Sequence, residues 1–305
     1  MKPIFRAVAA VVLALPLPAG RARAQARPPA NPLVTTEWLA THLSDPDLVI
    51  LQIEGRRDGY AAGHIPGAQF ILQDNIVVDG ENGAGYELPP VPEIVEVLRK
   101  AGVADGRQVI VYSENPLSAT RLWLTLDFIG LADHASILDG GFTRWKAESR
   151  PVTAEVAAVR TAALTARPRS DMVVKAEWVR DRLDDPKTLL IDARPDQEYT
   201  GADGGMGGMA HPGHIPGAFN MYWEELIESR QTNPSFLPRE QLHAKFAGAG
   251  ADAAATVVSY CMIGARASLT YFVGRMLGYD MKFYDGSWHD WGTLDLPYVK
   301  GSARR

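Results

Sequence analysis

The sequence predicts an α/β protein built from two similar domains, each a parallel sheet with helices on both faces. The first observation is an internal repeat, because Gly-His-Ile-Pro-Gly-Ala occurs at 63–68 and again, letter for letter, at 213–218. The second is that each copy alternates short β-branched runs with helical patterns, an order typical of a parallel sheet covered on both faces. The third is a stretch from 150 to 170, rich in Ala, Thr, Arg and Pro, that separates the two copies as a linker.

The repeat also reveals one insertion. An acidic-x-Arg pattern ends at Arg56 in the first copy and at Arg194 in the second, 138 positions later, whereas the two His-Ile-Pro blocks lie 150 positions apart. The second copy therefore holds about 12 additional residues. They fall in the glycine-rich segment 201–209, whose composition predicts a mobile surface loop.

The clearest strand and helix predictions surround Cys261, the only cysteine of the 305 residues. Strands are predicted at 48–53, 109–112, 189–192 and 256–260, the last ending just before the cysteine. The segment that follows has apolar residues at 269, 272, 273, 276 and 277, the spacing of one buried helix face. Gly278 stands where a helix C-terminal cap is expected.

The first 24 residues have the composition of a secretory signal peptide. Lys2 and Arg6 precede an apolar run at 7–17, and Ala-Arg-Ala at 22–24 fits a cleavage site before Gln25. We therefore expect a periplasmic or secreted protein with a signal peptide at 1–24, a first domain at 31–150, a linker at 151–170 and a second domain at 171–300. No later segment approaches the ~18 apolar residues of a membrane span.

Charge and cysteine count exclude several function classes. Four of the 31 Lys and Arg residues lie in the signal segment, so the remainder has 27 basic and 36 acidic side chains, a net charge of −9. This balance argues against nucleic acid or an anionic membrane as a partner. A single cysteine cannot form an internal disulfide, so Cys261 is a reactive thiol, an intermolecular bridge or an inert core residue. A nucleophile must be reachable from solvent, whereas an inert core cysteine is sealed.

Four motifs together resemble the tandem-domain rhodanese-type sulfurtransferases, the thiosulfate and 3-mercaptopyruvate sulfurtransferase family. They are the acidic-x-Arg pattern, the Gly-His-Ile-Pro-Gly-Ala blocks, Tyr-Cys-x-x-Gly-x-Arg at 260–266 and Tyr-Asp-Gly-Ser-Trp at 284–288, and the match covers roughly 31–300. The resemblance implies an inactive first domain and a catalytic second domain. It implies transfer of a sulfane sulfur from a small anionic donor to a thiophilic acceptor such as cyanide, a thiol or an acceptor protein. Cys261 would carry the sulfur as a persulfide, with no cofactor or metal.

The repeat provides an internal control for the loop at 261–266. Counting from the shared tyrosines, Cys261 corresponds to Ser113, and the second loop can offer a backbone N–H at every position. Such N–H groups and the following helix N-terminus stabilise an anion, so this loop favours a thiolate or persulfide. The first loop has Pro116, which lacks an N–H, and Glu114, which is negative. The predicted active-site loop consists of Cys261, Met262, Ile263, Gly264, Ala265 and Arg266.

Two arginines and a tryptophan complete the candidate site. Arg266 either orients the loop or binds an anionic substrate. Arg194 matches the family arginine that contacts substrate, but Arg56 occupies the same place in the inactive copy, so substrate binding and a structural ion pair both stay open. Trp288 is a candidate wall of the pocket. His64 and His214 occur in both copies and are predicted to serve the fold.

Two other functions compete with small-molecule sulfur transfer. Cysteine phosphatases have five residues between cysteine and arginine, but only four separate Cys261 from Arg266, too few to wrap a phosphate. A non-catalytic carrier that delivers sulfane sulfur to a partner protein is the second alternative. Met262 and Ile263 are neither basic nor polar, so the sequence does not distinguish thiosulfate from 3-mercaptopyruvate, and thiosulfate is the default donor.

Overall fold

A computed structural model describes residues 32–81, 83, 85–203, 211–294 and 296–304. The predicted signal peptide and most of the glycine-rich insertion lie outside these residues. In the first domain the strands are β1 (Leu33–Val34), β2 (Leu48–Glu54), β3 (Gln69–Leu72), β4 (Gln108–Tyr112) and β5 (Ala135–Leu138), and the helices are α1 (Thr36–His42), α2 (Asp58–Ala62), α3 (Val91–Lys100), α4 (Pro116–Phe128) and α5 (Gly141–Ala147).

The second domain repeats this order and adds a short antiparallel hairpin. Its strands are β6 (Val173–Val174), β7 (Thr188–Asp192), β8 (Phe219–Asn220), β9 (Ile227–Ser229), β10 (Asn233–Phe236), β11 (Thr256–Tyr260) and β12 (Asp280–Tyr284), and its helices are α6 (Ala176–Arg180), α7 (Asp196–Thr200), α8 (Arg239–Ala249), α9 (Ala267–Leu277) and α10 (Ser287–Thr293). The hairpin pairs β9 with β10.

Both five-stranded sheets are parallel throughout and have the same topology, β1-β5-β4-β2-β3 and β6-β12-β11-β7-β8. Alternate residues of a strand enter different cores, as the two-residue period requires. In β2, Leu51 and Ile53 belong to a core shared by both domains, whereas Ile50 belongs to a separate core on the outer face. Apolar layers on both faces confirm the predicted fold class.

The repeated histidines have the same role in each domain. His64 stacks on Tyr60 with ring centroids 3.8 Å apart, and His214 stacks on Tyr199 at 3.7 Å. The backbone of His64 also bridges Thr153, just as that of His214 bridges Val299. Each histidine thus binds the segment that follows its own domain along the chain, which agrees with a role in the fold.

The predicted linker lies against the first domain. Between α5 and the short 3₁₀ helix Ser170–Met172 it has no helix or strand, yet its backbone is held at several points. Asp105 N donates to Ala163 O at 2.9 Å, and Arg167 N donates to Ile129 O at 2.8 Å. The linker therefore extends the surface of the first domain and leads directly into β6.

The two domains meet in an approximately symmetric manner through α4 and α9. Thr120 and Ser268 each lie seven positions after Ser113 and Cys261 respectively, and their hydroxyl oxygens are 3.0 Å apart. Around this point each domain donates a backbone N–H to the aspartate that begins the Asp-Gly motif of the other. The two bonds run from Leu88 N to Asp285 Oδ2 at 2.7 Å and from Phe236 N to Asp139 Oδ1 at 3.0 Å.

A buried carboxylate joins α4, α9 and the linker. Asp127 is fully buried and accepts hydrogen bonds from Tyr271 Oη at 2.9 Å and Arg275 Nε at 3.0 Å, with Arg169 as a third partner. Burial of a carboxylate is costly unless charged donors surround it, and here two guanidinium groups do so. Asp127 therefore fixes the position of one domain against the other.

We predict that Asp127→Asn lowers the free energy of unfolding by about 3 kcal/mol, the lower end for a broken buried ion pair. The lower end applies because the side chains of Arg169 and Arg275 are 32% and 30% exposed and keep some hydration. Urea denaturation followed by tryptophan fluorescence measures the change. Asp133→Asn, at an exposed position, is the matched control, and an equal effect of both variants would contradict this role of Asp127.

Candidate active site

The loop at 261–266 connects the central strand β11 to α9, as the sequence predicts. β11 ends at Tyr260 and α9 ends at Leu277, where Gly278 adopts the left-handed conformation with φ 95°. A parallel α/β sheet presents its ligand-binding residues at the carboxyl ends of its strands. Cys261 therefore lies at the edge of the sheet where chemistry is expected.

The turn after β12 fixes the backbone of the cysteine. Cys261 N donates to Ser287 Oγ at 3.2 Å, and Cys261 O accepts from Trp288 N at 2.9 Å. In the first domain Phe142 N donates in the same way to Ser113 O at 3.2 Å. This shared contact confirms that Cys261 and Ser113 are equivalent positions.

The loop leaves its amide donors available. Within the described part of the chain, the six consecutive N–H groups from Met262 to Ala267 donate to no protein acceptor. The loop carbonyls, in contrast, are used: Gly264 O accepts from Ser268 N, and Ala265 O accepts from Ser268 Oγ at 2.7 Å. A run of unpartnered amides beside a helix N-terminus is the arrangement that binds anions.

Glycine is required at 264 by conformation and by space. Its φ is +91°, in the left-handed region that other residues avoid. A Cβ there would lie 3.1 Å from the Asp285 backbone oxygen and 3.3 Å from Phe283 Cζ. The close approach of the loop to β12 thus depends on the missing side chain.

The thiol itself is sealed in this conformation, as expected of an inert core cysteine and contrary to the solvent access that the sequence analysis requires of a nucleophile. Cys261 has no exposed surface, and it belongs to the apolar core shared by the two domains. A thiolate here lies close enough to raise the pKa of Tyr86, a first-domain residue whose burial is the main cause of a pKa of about 12. A side chain of the first domain therefore lies within electrostatic range of the sulfur.

Arg266 is fully engaged in an ion pair. Its Nη1 donates to Glu198 Oε1 at 2.7 Å and its Nη2 donates to Glu198 Oε2 at 2.8 Å. Burial lowers the pKa of Arg266, whereas these hydrogen bonds and a thiolate at Cys261 raise it, and the net direction is upward. The guanidinium thus stays charged, with its charge directed at α7.

Arg194 and Trp288 are both buried and contact each other. The guanidinium carbon of Arg194 is 4.7 Å from the Trp288 ring centroid, and both residues are 1% exposed. Arg194 Nη2 donates to Asp192 Oδ2 at 2.6 Å and to Gly213 O at 2.7 Å. Of the two roles left open for Arg194, this geometry is that of a structural ion pair, and substrate contact stays a prediction.

A third arginine reaches the site from the first domain. Arg121, on α4, has no exposed surface. Its Nη1 donates to Asp285 Oδ1 at 3.1 Å and its Nη2 donates to Tyr86 O at 2.6 Å. Asp285 begins the turn that carries Ser287, the partner of Cys261 N. Arg121 therefore connects the first domain to the backbone that holds the cysteine.

Comparison with known proteins agrees with this architecture. The sequence model of the rhodanese-like domain matches residues 35–148 and again 175–294. The chain belongs to the rhodanese family. This rhodanese is 31% identical over 294 residues to the sulfur carrier protein TtuD of Thermus thermophilus, which covers 88% of this chain and 96% of that protein.

Two further comparisons concern Escherichia coli. The 3-mercaptopyruvate sulfurtransferase of this organism is 30% identical over 277 residues, covering 87% of this rhodanese and 96% of that protein. The crystal structure of SseA, a 3-mercaptopyruvate sulfotransferase from E. coli, superimposes with a TM-score of 0.73 at 28% identity, over 85% of this chain and 99% of that one. With named sulfurtransferases among its full-length relatives, this rhodanese is a sulfurtransferase.

Sequence reasoning identified the loop and missed three of its neighbours. Tyr86 lies outside the repeated blocks, and nothing in the sequence connects it with a cysteine 175 positions later. Arg121 could have been noticed as the one basic residue of the largely apolar α4. Glu198 could have been found as a carboxylate one helical turn after Arg194, in the helix that precedes the glycine-rich insertion.

We predict that Gly264→Ala abolishes most sulfur transfer, because the new methyl group would push the loop away from β12. Gly278→Ala is the matched control, since Gly278 has the same positive φ and open space around the missing side chain. Both variants should lose about 1–2 kcal/mol of stability from left-handed strain. Activity and urea denaturation measured together separate the two effects, and equal activity of the two variants would contradict the assigned role of Gly264.

Proposed function

We propose that this rhodanese transfers a sulfane sulfur from a small anionic donor, with thiosulfate as the default and 3-mercaptopyruvate as the other candidate, to a thiophilic acceptor such as cyanide or a thiol. Cys261 is the proposed carrier of the sulfur. The observation that carries the proposal is the single thiol placed beside six consecutive unpartnered amides. Such a run of donors at a helix N-terminus suits a bound anion, because the N–H dipoles stabilise its negative charge.

In the first half-reaction, the Cys261 thiolate attacks the outer sulfur of the donor. A bond forms between the two sulfur atoms, the bond to the rest of the donor breaks, and sulfite leaves with the bonding electron pair. The product is a persulfide anion in the loop. In the second half-reaction, the acceptor attacks the outer sulfur, and the thiolate leaves and is regenerated.

A negative charge stays in the loop throughout this cycle, first on the thiolate and then on the persulfide. Preorganised N–H groups stabilise both forms without reorganising during the reaction. Because Cys261 has no exposed surface, donor entry requires side chains over the sulfur to move. Cys261 belongs to the apolar core that the two domains share, which makes opening between the domains the proposed route.

The first domain is proposed to support catalysis without performing it. Ser113 occupies the cysteine position and donates to Glu54 Oε1 at 3.0 Å, and Glu114 N donates to the same carboxylate at 2.7 Å. Burial raises the pKa of Glu54. A carboxylate thus fills the place where the second domain keeps free amides for an anion.

A second candidate function is sulfur delivery to an acceptor protein. Two observations favour it: Cys261 is sealed from solvent, and a relative over nearly the whole length is a sulfur carrier protein. The two functions differ in turnover with small acceptors. A carrier forms a stable persulfide and turns over slowly until its partner is added, whereas an enzyme for small acceptors turns over repeatedly with cyanide alone.

The N-terminal segment supports a proposal on location. A signal peptide at 1–24 would direct the protein to the periplasm or the exterior, and cleavage would leave Gln25 as the first residue. N-terminal sequencing of the protein from its own cells tests this directly. A chain that retains Met1 or Lys2 would contradict export by this route.

We predict that thiosulfate and cyanide yield thiocyanate in the presence of this protein and that Cys261→Ser reduces the rate to the uncatalysed background. The informative control is Ser113→Cys in the Cys261→Ser background. It restores a thiol at the equivalent position, where Pro116 and Glu54 provide no amide cradle, and should remain inactive. Normal turnover by Cys261→Ser would end the proposal.

A further inference from the structure

An ion pair with Glu198 neutralises Arg266, the one positively charged side chain of the loop. Both terminal nitrogens bind the two oxygens of Glu198 at 2.7 and 2.8 Å, and the side chains are only 18% and 12% exposed. A bidentate, largely buried pair of this kind is stronger than a surface salt bridge and weakly screened by salt. The loop therefore presents a neutral pair instead of a free cation.

The other two arginines described above, Arg194 and Arg121, are also each paired with a carboxylate. Arg194 pairs with Asp192 at 2.6 Å, and Arg121 pairs with Asp285 at 3.1 Å. All four side chains are less than a tenth exposed. Each positive charge of the described site thus has one carboxylate, and what remains for an anion is the set of neutral amide dipoles.

The two residues that follow the cysteine bring no charge to the site. Met262 is 1% exposed and Ile263 is half-buried, and both pack in the apolar core on the outer face of the second domain. Amide dipoles can stabilise one charge at the sulfur, but a second charge on the same donor has no cation to meet. The free-energy cost of moving that second charge out of water is then not offset by an opposite charge in the site.

We propose that Glu198 is a specificity-determining residue, which neutralises Arg266 and so directs this site toward sulfane donors with one negative charge and an organic substituent. The chemical class is that of organic thiosulfonates and persulfides, and the inference replaces thiosulfate, a dianion, as the default donor. This inference rests on the proposed sulfur transfer through Cys261.

Methanethiosulfonate and thiosulfate form a matched pair of probes, since a methyl group in the first replaces a charged oxygen in the second. With methanethiosulfonate, the Cys261 thiolate bonds to the outer sulfur, the sulfur–sulfur bond of the donor breaks, and methanesulfinate leaves with the electron pair. No proton, oxidant or reductant is consumed. Dividing each kcat/KM by the uncatalysed rate of that donor with cyanide removes the difference in leaving group.

The wild-type protein should favour methanethiosulfonate by this normalised ratio. Glu198→Gln leaves the charge of Arg266 unopposed and should raise kcat/KM for thiosulfate about tenfold relative to methanethiosulfonate. Glu198→Asp, which keeps the carboxylate, should keep the wild-type ratio. Glu198→Gln combined with Arg266→Gln should lose the gain, because the cation that produces it is gone.

The outcomes distinguish failure of the donor-specificity inference from failure of the proposed sulfur transfer. Thiocyanate formation from both donors with a wild-type preference for thiosulfate, or a ratio unchanged by Glu198→Gln, would overturn the inference and leave sulfur transfer intact. Absence of any Cys261-dependent thiocyanate from either donor would overturn the proposed function and the inference together. If Glu198→Gln fails to fold, the normalised kcat/KM ratio of the wild-type protein for the two donors tests the inference by itself.

Discussion

The structure depends on one local constraint: the turn between β11 and α9 must hold six amide groups away from any protein acceptor, beside a single thiol. Backbone N–H groups are rarely left unpaired inside proteins. The surrounding contacts keep them so. Gly264 lets the loop approach β12. The Asp-Gly-Ser-Trp turn forms hydrogen bonds with both the backbone N–H and the carbonyl of Cys261. The Ser268 hydroxyl donates a hydrogen bond to the Ala265 carbonyl. An anion at the sulfur is the natural partner for the donors that remain.

The repeat shows how one fold supports two different roles. The equivalent turn of the first domain has a proline and a half-buried carboxylate in place of free amides, and it carries a serine in place of the thiol. The same domain has gained an interdomain role instead. Arg121 holds Asp285 and the Tyr86 carbonyl, and Leu88 N donates to Asp285 as well. The domain without a thiol therefore positions the loop of the domain that has one.

Local sequence patterns predicted the chain geometry immediately around the cysteine, but not the β9–β10 hairpin. The strand-turn-helix around Cys261, the cap at Gly278 and the equivalence of Cys261 with Ser113 follow from periodicity and repetition. The pairing of Arg266 with Glu198 and the proximity of Tyr86 do not, because they arise where separate elements meet in space. The sealed thiol was unexpected for the same reason, since burial of a loop depends on the domain packed over it.

The most direct test is a crystal structure of the protein after incubation with a sulfane donor. The account predicts one additional sulfur atom on Cys261, within hydrogen-bonding distance of several backbone nitrogens between Met262 and Ala267. An unmodified Cys261 in crystals of protein that is active in solution, or an outer sulfur directed away from these nitrogens, would contradict it.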